Sequence, residues 1–178
     1  MVSRFQNRYR IKSSRLPGYN YSLPGIYFIT ICTRKRNPYF GTCQNGEIIL
    51  SELGLVVQDE WLKTHEIRKT MNIFLDKFVV MPDHFHAIIH IGKNDFNGRD
   101  ATHGVPAGIT TTPYNNKPGP QSNNLASIIR GFKSAVTTRS KMMHIEFAWQ
   151  SRYHDHIIRS NSELNRIREY IVMNPVNY

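Results

Sequence analysis

Ile73–Ile91 reads IFLDKFVVMPDHFHAIIHI. Ile73–Val80 and His84–Ile91 are rich in β-branched and aromatic residues, and each predicts a strand. Met81-Pro82-Asp83 between them leaves no room for a crossover helix, so the two strands must run antiparallel. Upstream, Gly25–Thr33 (GIYFITICT) follows Pro24 and predicts the first strand. Asn45-Gly46 signals a hairpin turn, with Glu47–Leu50 as one arm. Ser51–Lys69 has helical spacing, with Leu53, Val56, Val57, Trp61 and Leu62 as its apolar side. Downstream, Leu125–Met142 predicts a helix with a stripe of Leu125, Ile128, Ile129, Phe132 and Val136. Phe147–Arg159 predicts a strand or strand pair. Ser160 and Glu163 have the form of a capping box opening a last helix, with Leu164, Ile167 and Ile171 on one side and Pro175 ending it. This order predicts an α+β fold with a largely antiparallel sheet.

The chain has 178 residues, and 23 Lys+Arg against 13 Asp+Glu give a net charge of +10. That length fits one domain. No apolar run approaches the roughly 18 residues a membrane span needs, and the first residues, MVSRFQNRYRIK, lack the apolar stretch of a signal peptide. Two cysteines, Cys32 and Cys43, make a disulfide framework an unlikely class and point to the cytoplasm. The sequence pI near 9.8 points to an anionic partner, nucleic acid first. Residues 1–20 are expected to form a basic arm carrying Arg4, Arg8, Arg10, Lys12 and Arg15. Residues 21–178 form the remainder. Within them, 92–124 is rich in Gly, Pro, Asn and Thr without periodicity and is expected to be an irregular insertion outside the core. Two further basic groups stand out: Arg34-Lys35-Arg36, and the helix face with Arg130 and Lys133.

His84 and His86 alternate with Phe85, so on a strand both imidazoles share one face while Phe85 enters the opposite layer. Two imidazoles at i and i+2 can hold one metal ion. His90 is on the same face but about 13 Å further along. Two histidines with open coordination positions suit a metal that also holds substrate, and phosphate oxygens are natural partners for Mg²⁺ or Mn²⁺. Alone, the pattern more often marks two half-exposed histidines on a solvated sheet. A second such pair, His154 and His156, competes with the first and suits a supporting or DNA-contacting role.

Tyr170 and Asn174 are at i and i+4 on the last helix and lie on one face, with Arg166 one turn earlier. A tyrosine hydroxyl can act as a covalent nucleophile on an electrophile that is already polarised. A side-chain amide on the same row can complete a metal shell. Read singly, Tyr170 is also compatible with a core-edge tyrosine.

Taken together and in order, four segments resemble the single-tyrosine HUH transposases, in particular the REP-associated tyrosine transposases. They are Tyr21–Cys32 (YSLPGIYFITIC), Val79–His86 (VVMPDHFH), Trp149-Gln150 with Tyr153–Arg159 (YHDHIIR), and Arg168–Val176 (REYIVMNPV). The resemblance implies a ferredoxin-like domain, a central antiparallel sheet with helices on one face. It implies cleavage and rejoining of single-stranded DNA, beside a hairpin, through a 5′-phosphotyrosine intermediate. In that scheme Tyr170 is the nucleophile, and His84, His86 and Asn174 hold Mg²⁺ or Mn²⁺. Arg4, Arg8, Arg10, Lys12, Arg34, Lys35, Arg36, Arg130 and Lys133 would contact DNA, and the protein would act as a monomer or homodimer. Tyr153 is a rival nucleophile without the i+4 amide. The alternative is a DNA- or RNA-binding protein of the same fold without turnover. The 92–124 segment departs from the family pattern.

Overall fold

A computed structural model describes residues 16, 19–21, 23–94, 96–97 and 122–178. The basic-arm residues Arg4, Arg8, Arg10, Lys12 and Arg15, and most of the 92–124 segment, lie outside the described residues.

Three strands form where the sequence places them: β1 (Gly25–Cys32), β4 (Ile73–Val80) and β5 (His84–Ile91). With β6 (His154–Ile158) they make a four-stranded sheet in the order β4-β5-β1-β6, with every neighbouring pair antiparallel. The fold is therefore α+β. A separate two-stranded hairpin, β2 (Gly41–Gln44) and β3 (Glu47–Leu50), turns on Asn45-Gly46. Both turn residues have positive φ, 53° and 78°, which Asn and Gly tolerate best.

The β4 strand carries an irregularity that simple alternation misses. Leu75 pairs with Ile89 but Phe78 pairs with Ala87, so Asp76 and Lys77 together face one residue of β5. Strict alternation from Ile73 would turn Lys77 into the core. The bulge resets the phase, so Phe78 and Val80 join Ile73 and Leu75 on the core side while Val79 turns to the other face.

The helices pack on both faces of the sheet, not on one. On the first face, α1 (Glu52–Leu62) and α3 (Leu125–Met142) cover Tyr27, Ile29, Ile31, Phe85, Ala87 and Ile89. Phe85 is fully buried and meets Trp61 and Phe132 at ring-centroid distances of 5.1 and 5.3 Å. Truncating it to alanine is expected to cost about 3–5 kcal/mol. On the second face, α4 (Asn161–Met173) packs Leu164 and Ile171 against Ile88 and Ile158. The sequence placed His84 and His86 on a potentially solvated face. The α4 helix is the reason that both are buried there.

Two helical expectations are corrected. The Ser51–Lys69 helix ends at Leu62, and only the single turn α2 (Thr64–Ile67) and a 3₁₀ turn at Lys69–Met71 follow. Past Trp61 the apolar spacing fails: Leu62 and Ile67 are exposed. The Ser160 hydroxyl does accept from Glu163 N at the start of α4, but the Glu163 carboxylate returns to Arg159 N, one residue before the cap. In the 147–159 stretch only His154–Ile158 is strand, and Trp149 joins β1's end through an isolated bridge to Thr33. Among the described residues no helix is long and apolar enough to cross a membrane.

Candidate functional site

The site lies on the α4 face, where β5 runs beside β1. His84 pairs with Cys32 and His86 with Thr30 across the ladder. The two imidazoles face the same way, with ring centroids 4.6 Å apart. Each is held through Nδ1. The Asp83 carboxylate accepts from His84 at 2.6 Å, and the Thr30 hydroxyl lies 2.8 Å from His86 Nδ1. Engaging Nδ1 in this way leaves Nε2 of each ring for a ligand.

Burial pushes the His84 imidazole below its ordinary pKa, against the opposing pull of Asp83. Burial, with His84 next to it, drives His86 down to about 3. Both rings are therefore neutral at pH 7, which is the form that binds a metal ion. Asp83 is itself pinned. Arg36 Nε meets its other oxygen at 2.7 Å. To reach it, Lys35 and Arg36 both adopt positive φ, 59° and 57°, in the 3₁₀ turn Arg34–Arg36 just after β1. Side chains other than Gly rarely occupy that region, and two in succession mark a turn held by its contacts.

The α4 helix brings Tyr170 over this pair. Its hydroxyl is 3.4 Å from His86 Nε2, and its ring meets Phe28 edge-on at 6.0 Å. Tyr170 is 49% exposed, so the residue stands at the boundary between the buried histidines and solvent. Asn174, the C-cap of α4, offers its side chain to His84. Among the described residues no group of three or more His, Cys, Asp and Glu is arranged to hold a metal. The donor set here is two imidazoles and one amide. Neutral rings with ordered Nδ1 partners fit a divalent ion that keeps positions open for substrate oxygens.

A clasp fixes α4 to the sheet. The bulge in β4 aims the Asp76 carboxylate at Arg168, which donates through Nε at 3.1 Å and through Nη2, and at His90 Nε2, 3.0 Å away. Burial alone would raise this carboxyl. The bonds from Arg168, Lys77 N and His90 hold it below the usual carboxylate range. Arg168 is two residues from Tyr170.

The other candidates are placed as follows. Arg34, Lys35 and Arg36 are exposed at the His84 end of the sheet. Arg130 and Lys133 start on one face of α3, on the far side of the sheet, but part ways. Lys133 Nζ donates to Gln150 O at 2.7 Å and sits over the Trp149 ring, a contact that ties down the segment before β6. His154 and His156 face the α4 side, opposite Thr30 and Phe28. His156 Nε2 is 2.8 Å from Glu163, so that ring is engaged with the start of α4. Tyr153 packs against the main core on the other face.

Three participants, Asp83, Thr30 and Tyr178, were not among the expected site residues, and Arg36, expected to contact DNA, instead meets Asp83. Asp83 was legible as the neighbour of His84. Thr30 required the β1–β5 register. Tyr178, whose ring lies 6.3 Å from His84, required the path of the 3₁₀ turn Pro175–Asn177 after α4.

No protein-family model matches the chain. It is 36% identical over 166 residues to an uncharacterized protein of Haemophilus influenzae Rd, covering 93% of this chain and 88% of the relative. Among solved structures, a REP-associated tyrosine transposase bound to a REP hairpin overlays with a TM-score of 0.56 at 18% identity, covering 96% of this chain and 73% of that one. At that identity the likeness is one of fold.

Proposed function

We propose that this chain, which belongs to the same family as the uncharacterized Haemophilus influenzae protein, is a metal-dependent tyrosine transposase or nickase acting on single-stranded DNA in the cytoplasm. One observation carries the reading: the hydroxyl of a half-exposed tyrosine sits 3.4 Å from a neutral imidazole nitrogen, beside a second neutral imidazole. The transposase-like fold and the +10 charge support it.

In this reading Tyr170 Oη attacks the scissile phosphorus. The bond to the 3′ oxygen breaks, a 5′-phosphotyrosine forms and a 3′-OH leaves. The tyrosine proton passes to water and the leaving oxygen takes one up. One phosphodiester replaces another, so a 3′-OH can reverse the step or join a new strand without ATP. A bound Mg²⁺ or Mn²⁺ would supply positive charge to the phosphate oxygens. His84, His86 and Asn174 would hold it, and Asp83 and Thr30 keep the two rings aimed. Arg34, Lys35 and Arg36, at the same end of the sheet, would contact the strand's phosphates, with Arg130 further away.

A single strand reaches in-line geometry with little deformation, whereas a duplex must first open at roughly 1–2 kcal/mol per step. The solved transposase is bound to a REP hairpin, and single-stranded DNA flanking a hairpin is the expected substrate here. The test is incubation with labelled hairpin DNA and Mn²⁺. The expected result is a covalent adduct mapping to Tyr170, absent with blunt duplex. DNA binding without any adduct would instead favour a binding protein of this fold.

A further inference from the structure

On the sheet face opposite Tyr170, a cavity of about 380 Å³ opens between the turn after α2 and the first half of α3. Arg68, Arg130, Ser122, Asn123, Ser127 and Ser134 line it, and no described lining residue is acidic. Arg68 is built into its wall. Its Nη2 donates to the Ser127 carbonyl at 3.0 Å, and among the described residues it makes no ion pair with a carboxylate. Gly131, in the interior of α3, makes this possible. A Cβ there would come within 2.4 Å of Arg68 Nη2. Glycine is a poor helix former, so its presence here is explained by the guanidinium lying on the helix. Burial lowers the Arg68 pKa, and the nearby Arg130 charge lowers it further. Two guanidiniums thus line one cavity whose described walls carry no carboxylate.

We propose that this cavity is a phosphate-binding site, with Arg68 and Arg130 as its cationic walls and the Ser122 and Ser134 side chains as further donors. Guanidinium pairs present planar forks of donors that match phosphate oxygens. The phosphate is either a free ion or a phosphodiester of a bound strand. The second source rests on the DNA reading above, and would place a backbone contact on the far side of the sheet from the cut.

The experiment has two arms. Thermal melting is measured in 10 mM inorganic phosphate and in chloride at equal ionic strength, for the wild type, Arg130→Gln and Ser134→Glu. The first variant removes an exposed cation. The second brings a carboxylate into the cavity as an internal competitor. Phosphate is expected to raise the wild-type melting temperature by about 2–4 °C and that of either variant by less than half as much. Equal shifts in all three proteins, or none in the wild type, overturn the site. In the second arm, hairpin DNA with a single-stranded flank is titrated at several salt concentrations. Weaker binding and a log–log salt slope smaller by about 1 in Arg130→Gln identify the ligand as a DNA phosphate. Unchanged binding, with phosphate still stabilising the wild type, identifies a free phosphate. Wild-type protein that binds no DNA but still responds to phosphate overturns the DNA reading and leaves the cavity standing.

Discussion

Tyr170 Oη lies 3.4 Å from His86 Nε2 across 84 residues of sequence. The contact exists because β5 and α4 meet on the second face of the sheet, where Ile88 and Ile171 share a small apolar cluster. Phe28 and Tyr170 lie against His86, Tyr178 and Asn174 lie against His84, and Tyr170 itself stays half exposed. The proposed reaction asks for these opposite conditions: buried, neutral imidazoles beside a half-exposed tyrosine.

Tyr170→Phe is expected to abolish the covalent DNA adduct while changing hairpin affinity by no more than a few-fold. The substitution removes one oxygen, and with it the contact to His86 Nε2, from a half-exposed ring whose ring-to-ring contacts with Phe28 and His86 remain. Gel analysis of denatured reactions with labelled DNA reads the adduct directly. Persistence of the adduct would move the nucleophile to Tyr178, which the structure sets near His84, ahead of Tyr153, which packs against the core.

The fold was legible where the apolar period is strong and local. The bounds of β4, β5 and α3 match the sequence reading because each is a local run of β-branched and aromatic residues or a helical apolar stripe. The candidate site was legible as residue types: the fold places His84, His86, Tyr170 and Asn174 near one another. What encloses it was not. Which face α4 covers depends on β1 pairing both β5 and β6, a long-range choice that no local pattern encodes. The bulge at Asp76-Lys77 was likewise hidden, since only its tertiary partners Arg168 and His90 give Asp76 its place.

Asp83 and Thr30 are expected to act on the metal through the histidines. Asp83→Asn keeps a side chain of the same size but removes the charged acceptor from His84 Nδ1, and Thr30→Val removes the hydroxyl beside His86. Each should weaken Mn²⁺ binding about 10–100-fold by calorimetry, the range typical of groups that orient metal-binding histidines. His84→Ala or His86→Ala should lower it further. Manganese affinity unchanged in all four variants would rule out this pair as the metal site.

The two lowered histidine pKa values set a direction for stability against pH. His86 is held near 3 when folded, whereas an unfolded imidazole titrates near 6.5. The unfolded chain therefore binds more protons between these values, and stability falls as pH drops from about 6.5 toward 3. His84 adds to the same trend. With metal removed by chelator, urea midpoints are expected to decline across this window by the equivalent of a few kcal/mol. In His86→Gln, whose side chain does not titrate, the decline should be visibly shallower. Identical slopes for the two proteins would show that carboxylates alone govern the acid limb.

The Asp76–Arg168 clasp is expected to control the placement of Tyr170 rather than the existence of the fold. Arg168 sits one helical half-turn before Tyr170 and grips a carboxylate that only the β4 bulge could aim at it. Asp76→Asn keeps the side chain's size and its bulge but removes the charge that attracts both Arg168 and His90. The apolar contacts of Leu164 and Ile171 remain, so α4 should stay folded against the sheet with more freedom at its C-terminal half. Catalysis is sensitive to displacements of about 1 Å, which can cost on the order of 100-fold in rate. The expected phenotype is therefore a slower adduct-forming step at saturating DNA, with affinity for the hairpin nearly unchanged and with the melting temperature lowered by only a few degrees. Arg168→Lys separates the two roles of the arginine: it keeps the charge but loses the fork that engages Asp76 through Nε and Nη2. It should fall between wild type and Asp76→Asn in single-turnover rate. A pair of variants with wild-type rates and lowered melting temperatures would make the clasp purely structural.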